Sequence, residues 1–293
     1  MTLGNRARPW VPAVLTIVLL AACRAPAAGD QGAISAVASF YPLFEVADRI
    51  GGSRAAVTNL TPAGVEPHDL ELTTREVDTL LDADVVLYLG GGFQPAIEGV
   101  LADRKGVTVD LLEAGPTTGH DPHIWLDPRV MLAITDRVES AMVRADPPGA
   151  PTYRANATAY RTELEGVAED FDTGLAECDR DIIVTSHDAF GHLARRYGLR
   201  QEAITGLSPE SEPDPRRLDE LASLVEAEGV TTIFTETLVS PAVAETLAGE
   251  AGVRTAVLDP IEGLTAEQEA AGEDYASVMR RNLAELQEAL GCD

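Results

Sequence analysis

From about residue 33 onward, the apolar positions of this chain alternate between two periods. Short β-branched runs at 34–39, 55–60, 84–89 and 107–110 predict strands, and apolar positions three and four apart at 43–50, 74–81, 95–103 and 128–144 predict amphipathic helices between them. Residues 146–151, Asp-Pro-Pro-Gly-Ala-Pro, read as a breaker. A single long stripe follows over 152–177, with Tyr153, Ala157, Tyr160, Leu164, Val167, Phe171 and Leu175 on one face. As a helix it would reach about 40 Å. The alternation then resumes, with strands expected at 181–185, 200–203, 231–235 and 254–258 and helices at 189–197, 216–228, 241–250 and 274–290. Four β/α steps, one long helix and four further steps predict an α/β protein with two (β/α)4 lobes joined by that helix. Open α/β sheets bind ligands at the carboxyl ends of their strands, so the chemistry is expected in the loops after residues 60, 110, 185 and 258, facing one another across a cleft.

The first 32 residues do not share this pattern. Arg6 and Arg8 precede an apolar run over 10–22 that is shorter than the roughly 20 residues needed to span a bilayer. The run ends in Leu20-Ala21-Ala22-Cys23, which resembles a bacterial lipobox and makes Cys23 the expected lipidation site. Residues 1–22 are therefore read as a signal, 23–32 as a tether, 33–150 as the first lobe, 151–178 as the linking helix and 179–293 as the second lobe. The expected location is outside the cytoplasm, anchored to the membrane through Cys23. Two cysteines would remain, Cys178 and Cys292. In an exported protein an even pair reads as a disulfide, the alternative being two buried thiols.

Charge narrows the partners. The chain has 293 residues with 48 Asp+Glu against 22 Lys+Arg, a formal charge of −26, and loss of residues 1–22 would take it to −28. Such a surface excludes sequence-independent nucleic-acid binding, which needs a basic face, and argues against docking on anionic lipid.

The four expected cleft loops hold Glu66-Pro67-His68-Asp69, His120-Asp121-Pro122-His123, Ser186-His187-Asp188 and Asp259-Pro260-Ile261-Glu262. Four of the chain's five histidines lie in three of them. Three imidazoles and a carboxylate form a sound four-coordinate shell for Zn2+.

At this point the chain resembles a known family: the metal-binding solute-binding proteins of bacterial ABC transporters, ZnuA/TroA-like, in the zinc branch. The strings that carry the resemblance are Glu-Pro-His-Asp at 66–69, His-Ile-Trp-Leu-Asp-Pro at 123–128 and His-Asp-Ala-Phe-Gly-His-Leu-Ala-Arg-Arg-Tyr-Gly-Leu at 187–199. The resemblance implies metal held between the lobes by His68, His123, His187 and the acid at Asp259. It implies capture of Zn2+ outside the cytoplasm for an ABC permease, by a monomer that is not an enzyme. Manganese members present a carboxylate where this chain has His187, so zinc is favoured, with Mn2+ or mixed-metal binding as the alternative. The long His-rich loop of many zinc members is replaced by residues 115–122, which leaves His120 as a candidate auxiliary ligand.

Other acids are read mainly as local structure. Glu66 is placed to bind or orient His68, and Asp127 and Asp188 are candidates to accept the far N–H of a ligand ring. Glu236 is expected in a buried ion pair with an arginine, and His192 is expected to be structural. A zinc hydrolase is the less favoured alternative, because the chain has neither His-Glu-x-x-His nor Gly-x-Ser-x-Gly. Ligand imidazoles must be neutral, so metal affinity is expected to fall below about pH 6.5.

Overall fold

The computed structural model describes residues 1–2, 33–102, 104–116 and 121–292. The expected signal beyond residue 2, the expected tether, Cys23 and His120 lie outside the described residues.

All eight expected strands form, in two four-stranded parallel sheets. The first contains β1 (Ile34–Ala38), β2 (Ala55–Asn59), β3 (Val85–Tyr88) and β4 (Val107–Asp110) in the order β2-β1-β3-β4. The second contains β5 (Ile182–Thr185), β6 (Arg200–Ala203), β7 (Thr232–Thr235) and β8 (Arg254–Val257) in the matching order β6-β5-β7-β8. The central strands β5 and β7 are buried along their whole length, as helix-covered parallel strands must be, while the edge strands β6 and β8 are partly exposed.

The crossovers are α1 (Tyr41–Gly51), α2 (Thr74–Asp82) and α3 (Pro95–Leu101) in the first lobe, closed by α4 (Pro128–Ala145). Local chemistry starts them: Thr73 and Glu76 form a reciprocal capping box on α2, and Asp127 caps α4 ahead of Pro128. The linking helix α5 spans Ala150–Gly174, about 37 Å. It starts earlier than the expected 152 because Pro151 sits in its first turn, where a missing N–H costs nothing. The second lobe adds α6 (Gly191–Tyr197), α7 (Pro215–Glu228), α8 (Ala242–Ala251), the unanticipated short α9 (Ala266–Ala271) and α10 (Tyr275–Leu290).

The apolar stripe of α5 is buried from Tyr153 to Phe171 and belongs to one continuous core. That core includes Leu87 of the first sheet, Phe234 of the second and Met279 of α10. A polar staple crosses the same junction: the buried carboxylate of Glu45 on α1 accepts from Tyr41 Oη at 2.5 Å, Tyr160 Oη at 3.3 Å and the Tyr275 backbone N–H at 2.7 Å. Burial pushes its pKa up, and the Tyr41 hydrogen bond opposes that shift. Cys178 and Cys292 form a disulfide, tying the exit of α5 to the end of α10 across 114 positions. Next to it Asp179 and Arg180 donate backbone N–H groups to Gly291 and Leu290.

Candidate metal centre

Four segments leaving the carboxyl ends of strands meet between the sheets. His68 follows β2 in an irregular stretch, and His123 follows β4 just before a single 3-10 turn, Ile124–Leu126. His187 lies two residues beyond β5, and Glu262 follows β8. One ligand atom from each lies within 4.8 Å of the other three. Glu262 Oε1 is 3.2 Å from His68 Nε2, 3.2 Å from His123 Nε2 and 3.3 Å from His187 Nε2. His123 Nε2 and His187 Nε2 are 3.3 Å apart. Zn–N and Zn–O bonds near 2.05 Å give a tetrahedron with edges of about 3.3 Å, which four of these separations match. His68 is the group that must close in. It is also the one with some exposure, at 10% of its side chain, against 0% for His123 and His187 and 1% for Glu262.

The structure brings together the three expected histidines but not Asp259. Its place is taken by Glu262, three residues later. Asp259 is buried and committed to the turn: Oδ1 accepts from the Ile261 N–H at 2.8 Å and Oδ2 from Gln268 Nε2 at 2.9 Å. Asn282 holds the Asp259 backbone from both sides, accepting its N–H at 2.9 Å and donating to its carbonyl at 2.7 Å. Ile261 then adopts φ = 54°, a left-handed conformation that costs a β-branched residue about 1–3 kcal/mol. That reversal swings Glu262 into the cluster. The sequence does contain a glutamate in the same loop; no periodicity announces the turn that aims it.

Each buried ligand ring has a carboxylate behind it. His123 Nδ1 donates to Asp121 Oδ1 at 2.8 Å, and His187 Nδ1 donates to Glu236 Oε2 at 2.6 Å. Glu236 Oε1 also accepts the His187 backbone N–H at 2.9 Å. The expected arginine partner of Glu236 is therefore replaced by His187, because β7 ends beside the loop leaving β5. With Nδ1 committed as donor, each Nε2 is the atom offered to a cation.

Glu66 orients the His68 loop by accepting the His68 backbone N–H at 3.0 Å. Burial, reinforced by the charge of Glu262, pushes its pKa up to about 8. Gln94 braces the same loop through Pro67 O at 3.2 Å. Asp127 and Asp188 do not reach a ligand ring by hydrogen bond: Asp127 caps α4 and pairs with Arg196, and Asp188 is exposed, its backbone N–H bonded to Gly206 O. His192 is buried outside the cluster, with Nε2 3.0 Å from Asp121 O. Aromatic rings wall the site: Phe93 packs edge-on against His68 at 4.7 Å between centroids, and Trp125 lies 5.1 Å from His123.

The electrostatics are those of a cation site. Burial alone would discharge His187, but its hydrogen bonds to Glu236 and Glu262 prevail and push its pKa up to about 10. His123 is raised for the same reason, by Asp121 and Glu262. Burial acts against the Glu262 carboxylate, yet hydrogen bonds from His123, His187 and His68 hold it well below the usual carboxylate range. Three nitrogens and one anionic oxygen, dry and convergent, are a donor set suited to zinc.

Comparison with known proteins agrees with this chemistry. Zinc-binding lipoprotein AdcA of Streptococcus pneumoniae is 35% identical over 298 residues, covering 94% of this chain and 59% of that protein. Zinc-binding protein AdcA of Streptococcus pyogenes is 34% identical over 287 residues, covering 87% and 56%. The chain thus spans a little over half the length of these relatives. High-affinity zinc uptake system protein ZnuA of Bacillus subtilis is 31% identical over 303 residues, covering 93% of this chain and 94% of that one. The Zn(II)-bound ZnuA-like domain of S. pneumoniae AdcA superposes with a TM-score of 0.78 at 35% identity, over 88% of this chain and 99% of that structure. The family described as ZnuA, zinc-uptake complex component A periplasmic, matches residues 36–289, and to that family this chain belongs.

Proposed function

We propose that this protein captures Zn2+ outside the cytoplasmic membrane and delivers it to an ABC permease, as a monomer tethered through a lipidated Cys23. The observation that carries this reading is the convergence of His68, His123 and His187 with Glu262 on one buried point between two sheets. The relatives named for zinc support the choice of metal, and the imidazole at His187 favours zinc over manganese.

Metal analysis of the native protein, with competition between Zn2+ and Mn2+, tests the proposal. Trp125 supplies a second readout. It is the only tryptophan after residue 22, is fully buried and lies beside His123. Zinc added to chelator-stripped protein is expected to change its fluorescence and raise the melting temperature. Absence of both responses would refute zinc capture.

The raised pKa values move the expected pH dependence upward from the sequence-based 6.5. In the metal-free protein His187 holds its proton until about pH 10, so zinc must displace it at any lower pH. Affinity is expected to weaken by about tenfold per pH unit for each proton displaced, from pH 9 down through pH 7. Calorimetry in buffers of different ionisation enthalpy should show proton release. The stability of the metal-free protein carries the opposite sign. Because the folded pKa exceeds the unfolded 6.5, the contribution of His187 is complete below pH 6.5 and is lost as the pH rises through about 10. Zinc affinity unchanged between pH 7 and 9 would contradict this account.

A further inference from the structure

The segment carrying His123 belongs to the first lobe by chain order, yet its charged groups face α6 of the second. Asp121 divides its carboxylate between the two. Oδ1 accepts from the His123 backbone N–H at 3.0 Å and from His123 Nδ1 at 2.8 Å. Oδ2 lies 3.5 Å from His192 Nε2 and 3.8 Å from Arg195 Nη2. The Asp121 carbonyl, which can only accept, is 3.0 Å from the same His192 nitrogen, so His192 carries a proton on Nε2. Gly191 makes room for this approach, since a Cβ there would sit 2.8 Å from Asp121 Oδ2. At the far end of the segment Arg196 pairs with Asp127 at 2.8 Å. Gly191, His192, Arg195 and Arg196 are spaced i, i+1, i+4 and i+5, so they share one side of α6.

Building on the zinc-capture reading, we infer that His192 is a positioning residue for the ligand His123, acting through Asp121 from across the cleft. His192 holds Asp121, and Asp121 fixes the ring plane and the Nδ1 proton of His123. A ring whose Nδ1–H is held by a carboxylate is both better oriented and more basic at Nε2. The aim of a first-lobe ligand is thereby set by a second-lobe helix that does not itself touch the ion. This gives His192, the one described histidine outside the cluster, a role beyond filling space. It also explains why the helix presents a glycine, rather than a larger residue, at the closest approach.

The test uses the full chain and five proteins: the unsubstituted protein, His192→Leu, His192→Gln, Gly191→Ala and the control His123→Ala. Leucine keeps bulk and removes the donor, whereas glutamine returns an N–H near the position of Nε2. Chelator competition should show zinc affinity reduced about tenfold in His192→Leu and in Gly191→Ala, with most of it recovered in His192→Gln. The visible bands of bound Co2+, which report ligand geometry, should shift in the first two variants and return in the third. Unchanged affinity and spectrum in His192→Leu would overturn the inference. Equal losses in His192→Leu and His192→Gln would also overturn it, because packing rather than the donor would then be responsible. If His192→Leu does not fold, Gly191→Ala carries the test, and an unchanged Co2+ spectrum there is decisive against it. Failure of the unsubstituted protein to bind zinc refutes the zinc reading instead, and His123→Ala serves as the control for that.

Discussion

Replacing Glu262 by alanine is expected to weaken zinc binding by about a hundredfold or more, while Asp259→Asn changes it by less than tenfold. A structural zinc site supplies roughly 10–16 kcal/mol from four ligands, so one ligand is worth about 3 kcal/mol, or two decades of affinity. Glu262 is the sole carboxylate among the four convergent groups and touches all three imidazoles. Its loss removes the charge that complements a dication in a site with almost no water contact. Asp259 makes its contacts inside the turn, to Ile261 and Gln268. Asparagine keeps the acceptor for the Ile261 N–H and loses only the Gln268 contact, because Gln268 Oε1 is committed to the Thr265 N–H. Glu262→Gln separates charge from shape: most of the loss should persist, because the amide fits the space without the charge. Chelator competition on the four proteins decides the matter. An Asp259→Asn loss equal to that of Glu262→Ala would mean that the turn, rather than the glutamate, carries the effect.

The second large effect is expected on stability alone. Serine at Cys178 and Cys292 should cost about 4–5 kcal/mol in the chain-entropy account of a loop of more than a hundred residues. That corresponds to a melting temperature lower by roughly 10 °C for a chain of this size. Zinc affinity should change little. The bridge precedes β5 at its amino end, whereas His187 follows the same strand at its carboxyl end. Thermal melts and zinc titrations of the double variant test both statements. A large loss of affinity with an unchanged melting temperature would reverse the assignment of roles.

Much of this architecture is legible in the residue pattern, for identifiable reasons. Seven of the eight strands announce themselves through Val, Ile and Thr flanked by helix caps and breakers, whereas β6, Arg-Gln-Glu-Ala, shows only through its place in the alternation. The long helix shows because its stripe persists from Tyr153 to Phe171 without interruption. His68, His123 and His187 stand out because histidine is scarce in the chain and concentrated at strand ends. What escapes is set by single dihedrals and by contacts between lobes. Asp259 and Glu262 are equally placed in the sequence, and the φ of Ile261 chooses between them. Glu236 meets His187 rather than an arginine because neighbouring strands in the sheet are not neighbours in the chain. The short α9 has a readable Thr265–Gln268 capping box but too few turns to show a period.

The carboxylates of Asp121, Glu236 and Glu262 push the buried rings of His123 and His187 toward their protonated forms. A dication entering the cluster therefore displaces positive charge, the His187 proton first, rather than adding all of its own. The interior's net charge then changes by less than the ion's full charge between the empty and the filled pocket, and a partner outside meets a correspondingly smaller change in electric field.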